Sequence, residues 1–113
     1  MISEIKKLKN LIVEKYSPNK IILFGSQGKG TENKHSDIDL CVIMKKIEDK
    51  DELLDDMNYE LYIDKPFDII LYTQNEWNSV VKDTTSFAYL INKTGVELYQ
   101  NNKDNDVSLG HVK

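Results

Sequence analysis

The sequence predicts an α/β fold, in which one small sheet is built together with its helices. Four apolar segments of strand length alternate with segments whose apolar residues recur at helical spacing. The chain has 113 residues, of which 40% are apolar and 30% charged, and this size and composition suit one modest hydrophobic core. We therefore expect one globular domain over residues 1–100, followed by a polar, disordered tail over residues 101–113.

The first half of the chain is predicted to form one helix and two strands. Apolar residues recur every three or four positions in the helix, at Ile5, Leu8, Ile12 and Tyr16. Residues 20–25 are apolar on both faces, which is typical of a central, buried strand. Residues 37–44 form the second strand.

The second half is predicted to form three helices and two strands. In order, they are a helix at 49–62 with Leu53, Met57 and Leu61 inward, a strand at 67–72, a short helix capped by Asn75, a helix at 86–93 ended by Gly95, and an edge strand at 96–99. Four aromatic side chains are expected to pack in the core or at an interface rather than to stack on bases: Tyr59, Tyr62, Trp77 and Phe87.

Charge and cysteine content narrow the possible functions. The net charge of −4 argues against a protein that holds duplex nucleic acid mainly through phosphate contacts. All 15 basic residues are lysine, so no arginine can clamp a phosphate in bidentate fashion. The single cysteine, Cys41, excludes an internal disulfide and is expected to be buried. No segment resembles a signal peptide or a membrane span, so we expect a cytoplasmic protein without membrane contact or direct nucleic-acid binding.

The most informative motif is Gly25-Ser26, followed after ten residues by Asp37-Ile38-Asp39. Successive side chains of a strand alternate between its faces, so Asp37 and Asp39 are expected to point the same way. Two neighbouring carboxylates repel each other, and burying part of that charge is costly unless a cation is bound. A divalent metal carrying a phosphorylated substrate would resolve this cost, which indicates phosphoryl or nucleotidyl transfer.

The third strand adds Asp68 to an otherwise apolar run. If this strand pairs beside the second, Asp68 can approach Asp37 and Asp39 and complete a three-carboxylate site. Such oxygen ligands suit Mg²⁺, and two ions would clamp the attacking and leaving oxygens of an in-line displacement. In that scheme Asp37 and Asp39 bridge both ions, whereas Asp68 holds only the ion that activates the nucleophile and can accept its proton.

The turn after the first strand is predicted to hold the phosphates of the nucleotide. Gly25 lets the backbone come close to a triphosphate, and Ser26 offers a hydroxyl and a backbone amide. Lys29 and Lys34 are candidates to balance the phosphate charge.

These motifs resemble the signature of the polymerase-beta-type nucleotidyltransferase superfamily. Gly25-Ser26 with Asp37-Ile38-Asp39, the strand Phe67-Asp68-Ile69-Ile70 and the short chain ending near Gly95-Val96-Glu97-Leu98-Tyr99 are similar to the minimal nucleotidyltransferases. The resemblance covers roughly residues 1–100. It implies the polymerase-beta-like fold, with a small mixed sheet flanked by helices, and the use of ATP with two Mg²⁺ ions.

The resemblance also implies a partner and an acceptor. Minimal nucleotidyltransferases are typically encoded beside a small all-helical HEPN protein, an RNase toxin, and act as antitoxins by transferring AMP from ATP to a toxin tyrosine. A hetero-oligomer is therefore expected. Many relatives have arginines where this chain has Gln27 and Lys29, and this difference bears on nucleotide affinity rather than on metal binding.

Two other functions stay open at this point. An antitoxin without catalysis would neutralise its partner by stable binding through the same open face. An aminoglycoside-type nucleotidyltransferase would act on a small molecule, but such enzymes carry further domains that hold the acceptor. Almost every residue here is used in building one sheet with its helices, which favours an acceptor presented by another protein.

Overall fold

Four helices and four strands follow one another in the part of the chain that the computed structural model describes, residues 2–25 and 38–101. In chain order they are α1 (Ile2–Tyr16), β1 (Lys20–Phe24), β2 (Ile38–Met44), α2 (Lys50–Glu60), β3 (Phe67–Thr73), α3 (Gln74–Val80), α4 (Phe87–Thr94) and β4 (Val96–Gln100). The predicted alternation of helices and strands is confirmed.

The four strands form one mixed sheet in the order β3-β2-β1-β4. β1 pairs antiparallel with both β2 and β4, whereas β2 and β3 pair in parallel. The helix α2 lies in the crossover between the two parallel strands, as such a connection requires. A central first strand and a last strand at the edge of the sheet are both confirmed.

Each face of the sheet carries its own hydrophobic core, because side chains alternate along the strands. One face is covered by α1 and α2, and its buried residues are Leu8, Ile12, Ile21, Leu23, Ile38, Leu40, Val42, Met57, Leu61, Ile69 and Leu71. The other face is covered by α3 and α4, and its buried residues are Ile22, Phe24, Cys41, Ile43, Trp77, Ala88 and Ile91. Burial raises the pKa of the Cys41 thiol to about 12.

The helix ends differ from the prediction at one position. Thr73, not Asn75, is the N-cap of α3: its hydroxyl accepts a hydrogen bond from the amide of Glu76, and the Glu76 carboxylate accepts one from the amide of Thr73. This reciprocal pair satisfies two amides at once, and it places Asn75 inside the first turn. Gly95 ends α4, as predicted, and Ser86, predicted as the first residue of this helix, is its N-cap.

Three of the four aromatic residues expected to pack in the core or at an interface, Tyr59, Tyr62 and Phe87, are not buried in the core. Trp77 is buried, but Tyr59 and Tyr62 at the end of α2 are 82% and 76% exposed. Both side chains lie away from the inner face of α2, where Met57 is fully buried. Of the two predicted alternatives, burial in the core is therefore wrong for these two tyrosines, and packing at an interface stays a prediction.

The end of the predicted domain is partly described. The amide of Asn101 donates to the carbonyl of Asn19 at 2.8 Å, so the sheet region is still hydrogen-bonded one residue beyond β4. The rest of the predicted tail, residues 102–113, lies outside the described residues. No helix within the described ranges is both long and apolar enough to cross a membrane.

Ser17, which follows α1, is expected to be a site of stabilisation by glycine. Its φ is +49°, and its amide donates to the carbonyl of Val13 at 3.1 Å, which satisfies the end of the helix. A left-handed backbone costs an L-residue about 1–2 kcal/mol, and glycine avoids most of this cost. We expect Ser17→Gly to raise the free energy of unfolding by about 0.5–1 kcal/mol in urea titrations. An equal or lower stability would show that the serine is not strained.

Candidate functional site

Two of the three predicted carboxylates lie side by side in the sheet. Asp39 is the second residue of β2, Asp68 is the second residue of β3, and the two are partners in the parallel register. Neighbouring strands are about 4.8 Å apart and paired residues share a face of the sheet. The two carboxylates therefore lie on the same face, at the start of both strands.

Hydrophobic alternation explains why both acids are on this face. Ile38 and Leu40 are buried against α1 and α2, which leaves Asp39 to the opposite face. Ile69 likewise points toward α1 and α2, and Asp68 points away. The register is fixed where the strands begin, because the amide of Ile38 donates to the carbonyl of Pro66 at 3.1 Å. Asp39 is half-buried and Asp68 is exposed.

Gly25 borders the site on the side of β1. Phe24, the last residue of β1, pairs with Asp39, and Gly25 follows with a φ of +76°. A Cβ at Gly25 would lie only 2.5 Å from Oδ2 of Asp39. The absence of a side chain at position 25 therefore makes room for the Asp39 carboxylate, a role in addition to the predicted approach to phosphate.

One aromatic ring beside the carboxylates was not anticipated as part of the site. Phe87, the first residue of α4, packs edge-to-face on Phe24, with the ring centroids 5.5 Å apart at 86°. The Phe87 side chain nevertheless remains 48% exposed. The sequence indicates this placement only indirectly: Ser86 caps the helix, and Phe87 is therefore its first residue.

The other predicted site residues lie outside the described residues. These are Asp37 among the metal ligands and Ser26, Lys29 and Lys34 among the phosphate contacts, together with Gln27. Among residues 2–25 and 38–101 there is no group of three or more His, Cys, Asp or Glu placed to hold a metal ion. The described part of the site is thus the pair Asp39 and Asp68 with Gly25 beside it.

The donor chemistry of this pair fits a magnesium ion. Two carboxylates at neighbouring register positions bring hard oxygen ligands together and repel each other when no cation balances them. A cavity of about 360 Å³ lies away from this pair, between Met44 at the far end of β2 and the start of α2. The carboxylate pair is instead on the sheet face that carries α3 and α4.

Comparison with known proteins identifies the family and the fold. The model of the polymerase beta nucleotidyltransferase family matches residues 6–104. A putative nucleotidyltransferase from Sulfolobus solfataricus superposes with a TM-score of 0.63 at 20% identity, covering 90% of this chain and 85% of that one. The crystal structure of a toxin-antitoxin with AMP-PNP superposes with a TM-score of 0.55 at 23% identity, covering 90% of this chain and 77% of that one.

At these identities the two structures establish the fold alone, and both agree with the mixed sheet described above. No curated protein matches the sequence. The family model, however, spans nearly the whole chain and includes both strands that carry the carboxylates. The chain therefore belongs to the polymerase beta nucleotidyltransferase family.

Proposed function

We propose that this protein transfers AMP from ATP to a tyrosine of a HEPN-type RNase toxin and thereby acts as its antitoxin. The observation that carries the proposal is the pairing of Asp39 with Asp68 on one face of the sheet. Membership of a nucleotidyltransferase family supports the reaction class. The fold similarity to a toxin-antitoxin with AMP-PNP, an analogue of ATP, supports the partner and the nucleotide.

The position of Asp68 suits an acceptor that another protein presents. β3 is an edge strand of the sheet and Asp68 is exposed at its beginning. A tyrosine of a partner protein can reach this edge without crossing the sheet or its covering helices. A hetero-oligomer with the toxin is part of the proposal.

In the proposed reaction, Asp39 and Asp68 would hold magnesium together with Asp37, which lies outside the described residues. Magnesium bound there, as two ions in this proposal, would supply neutralisation of the phosphate charge and orientation of the reacting oxygens. A carboxylate oxygen of Asp68 takes the phenolic proton of the acceptor tyrosine. The phenolic oxygen then bonds to the α-phosphorus of ATP, the bond from that phosphorus to the bridging oxygen of the β-phosphate breaks, and pyrophosphate leaves.

The phosphate end of ATP is assigned to the turn after β1. Gly25 ends the first strand next to Asp39, so a triphosphate bound there has its α-phosphate near the carboxylate pair. Ser26 donates its hydroxyl and amide to the phosphates, and Lys29 balances their charge. These two assignments rest on the sequence motif.

The proposal is tested by incubating the purified chain with α-labelled ATP and Mg²⁺ in a lysate of its native host. We expect one labelled HEPN-type protein, with AMP on a tyrosine by mass spectrometry. With Asp39→Asn the label should fall by about a hundredfold or more, since a carboxylate that would hold the metal is lost. Asp55→Asn is the matched control, because Asp55 is an exposed acid on α2, over the opposite face of the sheet.

Two results would contradict the proposal. Label on small molecules rather than on protein would favour the aminoglycoside-type reaction. A partner that co-purifies and is neutralised equally by the wild type and by Asp39→Asn, without any label, would favour an antitoxin that acts by binding alone.

A further inference from the structure

We infer that Phe87 binds the base of the nucleotide, with its exposed ring stacked on the purine whose phosphates lie beside Asp39. The inference rests on the proposed function and adds to it the contact for the base. It concerns a side chain that the predicted motifs do not include. Three observations carry it: the position of the ring, the side of the site on which it lies, and its rigidity.

The ring lies next to the carboxylates on the same face of the sheet. Phe24 is the cross-strand partner of Asp39, at a Cβ separation of about 5 Å for antiparallel pairs. The ring of Phe87 lies on Phe24, with 5.5 Å between centroids. A nucleotide joins its α-phosphate to its base through one ribose, so a phosphate at the carboxylates places the base within reach of Phe87.

The ring is on the nucleotide side of the site rather than on the acceptor side. In the strand order β3-β2-β1-β4, Asp68 is on β3 and Asp39 on the central β2. Phe87 packs on Phe24, the last residue of β1, which Gly25 follows in the chain. The acceptor tyrosine has to approach Asp68 from the opposite side. Phe87 is therefore placed to contact the base and not the acceptor.

The ring is also held in place while one side of it stays open. Ala88 and Ile91 are the buried residues of α4, so Phe87 is not required to fill the core. The first turn is fixed because the Ser86 hydroxyl accepts from the amide of Tyr89 at 3.0 Å and donates to the carbonyl of Val80 at 2.7 Å. A fixed, half-exposed aromatic ring is what base stacking requires.

The test measures the affinity of the full chain for Mg-ATP and for magnesium tripolyphosphate by calorimetry. Tripolyphosphate reports on the phosphate end alone. Phe87→Leu keeps an apolar contact with Phe24 but removes the aromatic face, whereas Phe87→Trp keeps an aromatic face. Leu90→Ala is the matched control, because Leu90 is 47% exposed on the same helix, one turn later.

Base–aromatic stacking contributes about 5- to 150-fold to affinity. We expect Phe87→Leu to weaken ATP binding by at least about fivefold and to leave tripolyphosphate binding unchanged. Phe87→Trp should bind ATP at least as tightly as the wild type. Leu90→Ala should change neither affinity.

Other results would overturn the inference in distinguishable ways. Equal ATP affinities for Phe87→Leu and the wild type would exclude the base contact. An equal loss for ATP and tripolyphosphate would show that the ring supports the site without touching the base. Weaker transfer to the acceptor protein at unchanged ATP affinity would assign Phe87 to the acceptor. If the wild type binds ATP and transfers AMP, and Phe87→Leu binds ATP with the wild-type affinity, only the inference about Phe87 is overturned. If the wild type binds no ATP, the proposed function is overturned as well.

Discussion

Replacing Asp68 by asparagine is expected to slow AMP transfer by roughly 10²–10⁴-fold, the usual contribution of a general base. The asparagine side chain cannot accept the phenolic proton, and it is a weaker ligand for magnesium. Stability should not fall, because the exposed Asp68 carboxylate lies beside that of Asp39 and like charges at neighbouring positions repel. We expect an unfolding free energy unchanged or higher by about a few tenths of a kcal/mol. Single-turnover rates and urea titrations measure the two effects separately.

Asp64→Asn is the control for this variant. Asp64 is an exposed acid in the connection that leads into β3, four residues before Asp68, and its removal changes the net charge equally. It should retain the full transfer rate. If Asp68→Asn were as active as Asp64→Asn, Asp68 would be neither the proton acceptor nor an important ligand.

Much of the fold could be predicted because the apolar pattern of each strand indicates which of its faces are buried. Residues 21–24 are apolar on both faces and lie in β1, which has a paired strand on each side. The predicted helix starts at Asp49 and Ser86 are each within one residue of the observed ones, and both residues are N-caps whose side-chain oxygen accepts a hydrogen bond from the first turn. Thr73 was overlooked as a cap because it also continues the apolar strand β3. Only the glutamate three residues later, Glu76, distinguishes the two roles.

The exposure of Tyr59 can be predicted from its position on α2 relative to Met57. Tyr59 follows Met57 by two residues, which corresponds to a rotation of about 200° around a helix. Since Met57 is fully buried, Tyr59 has to face away from the sheet. Aromatic character alone favours packing in the core or at an interface, and helical geometry excludes the core for Tyr59.

The candidate site could be predicted only in part, because its residues meet through tertiary pairing. The sequence predicts that Asp39 and Asp68 lie on strands, but their carboxylates are close together only if these two strands are neighbours in the sheet. That condition is met by the parallel register, which is fixed by the bond between Ile38 and Pro66. A single backbone hydrogen bond of this kind has no sequence pattern. The packing of Phe87 on Phe24 likewise joins residues far apart in the chain.

Replacing Gly25 by alanine is expected to lower the transfer rate by about a hundredfold, the loss that a displacement of about 1 Å causes at a reacting centre. The new Cβ would lie 2.5 Å from Oδ2 of Asp39, so the carboxylate has to turn away from its position beside Asp68. The φ of +76° adds about 1–2 kcal/mol of backbone strain for an L-residue. The variant should therefore lose some stability and much more activity, as measured by urea titration and by the rate per folded molecule.

Gly95→Ala separates these two losses. A Cβ there would lie 2.6 Å from the Ile91 carbonyl oxygen, 2.6 Å from a side-chain carbon of Ile22 and 2.9 Å from the Leu23 carbonyl oxygen, with no carboxylate among these neighbours. Backbone atoms yield less easily than a side chain, so Gly95→Ala should destabilise the fold at least as much as Gly25→Ala. Its folded fraction should nevertheless transfer AMP at the wild-type rate. If both alanine variants lost activity only in proportion to their unfolded fraction, the space beside Asp39 at Gly25 would matter for stability and not for the transfer rate of the folded protein.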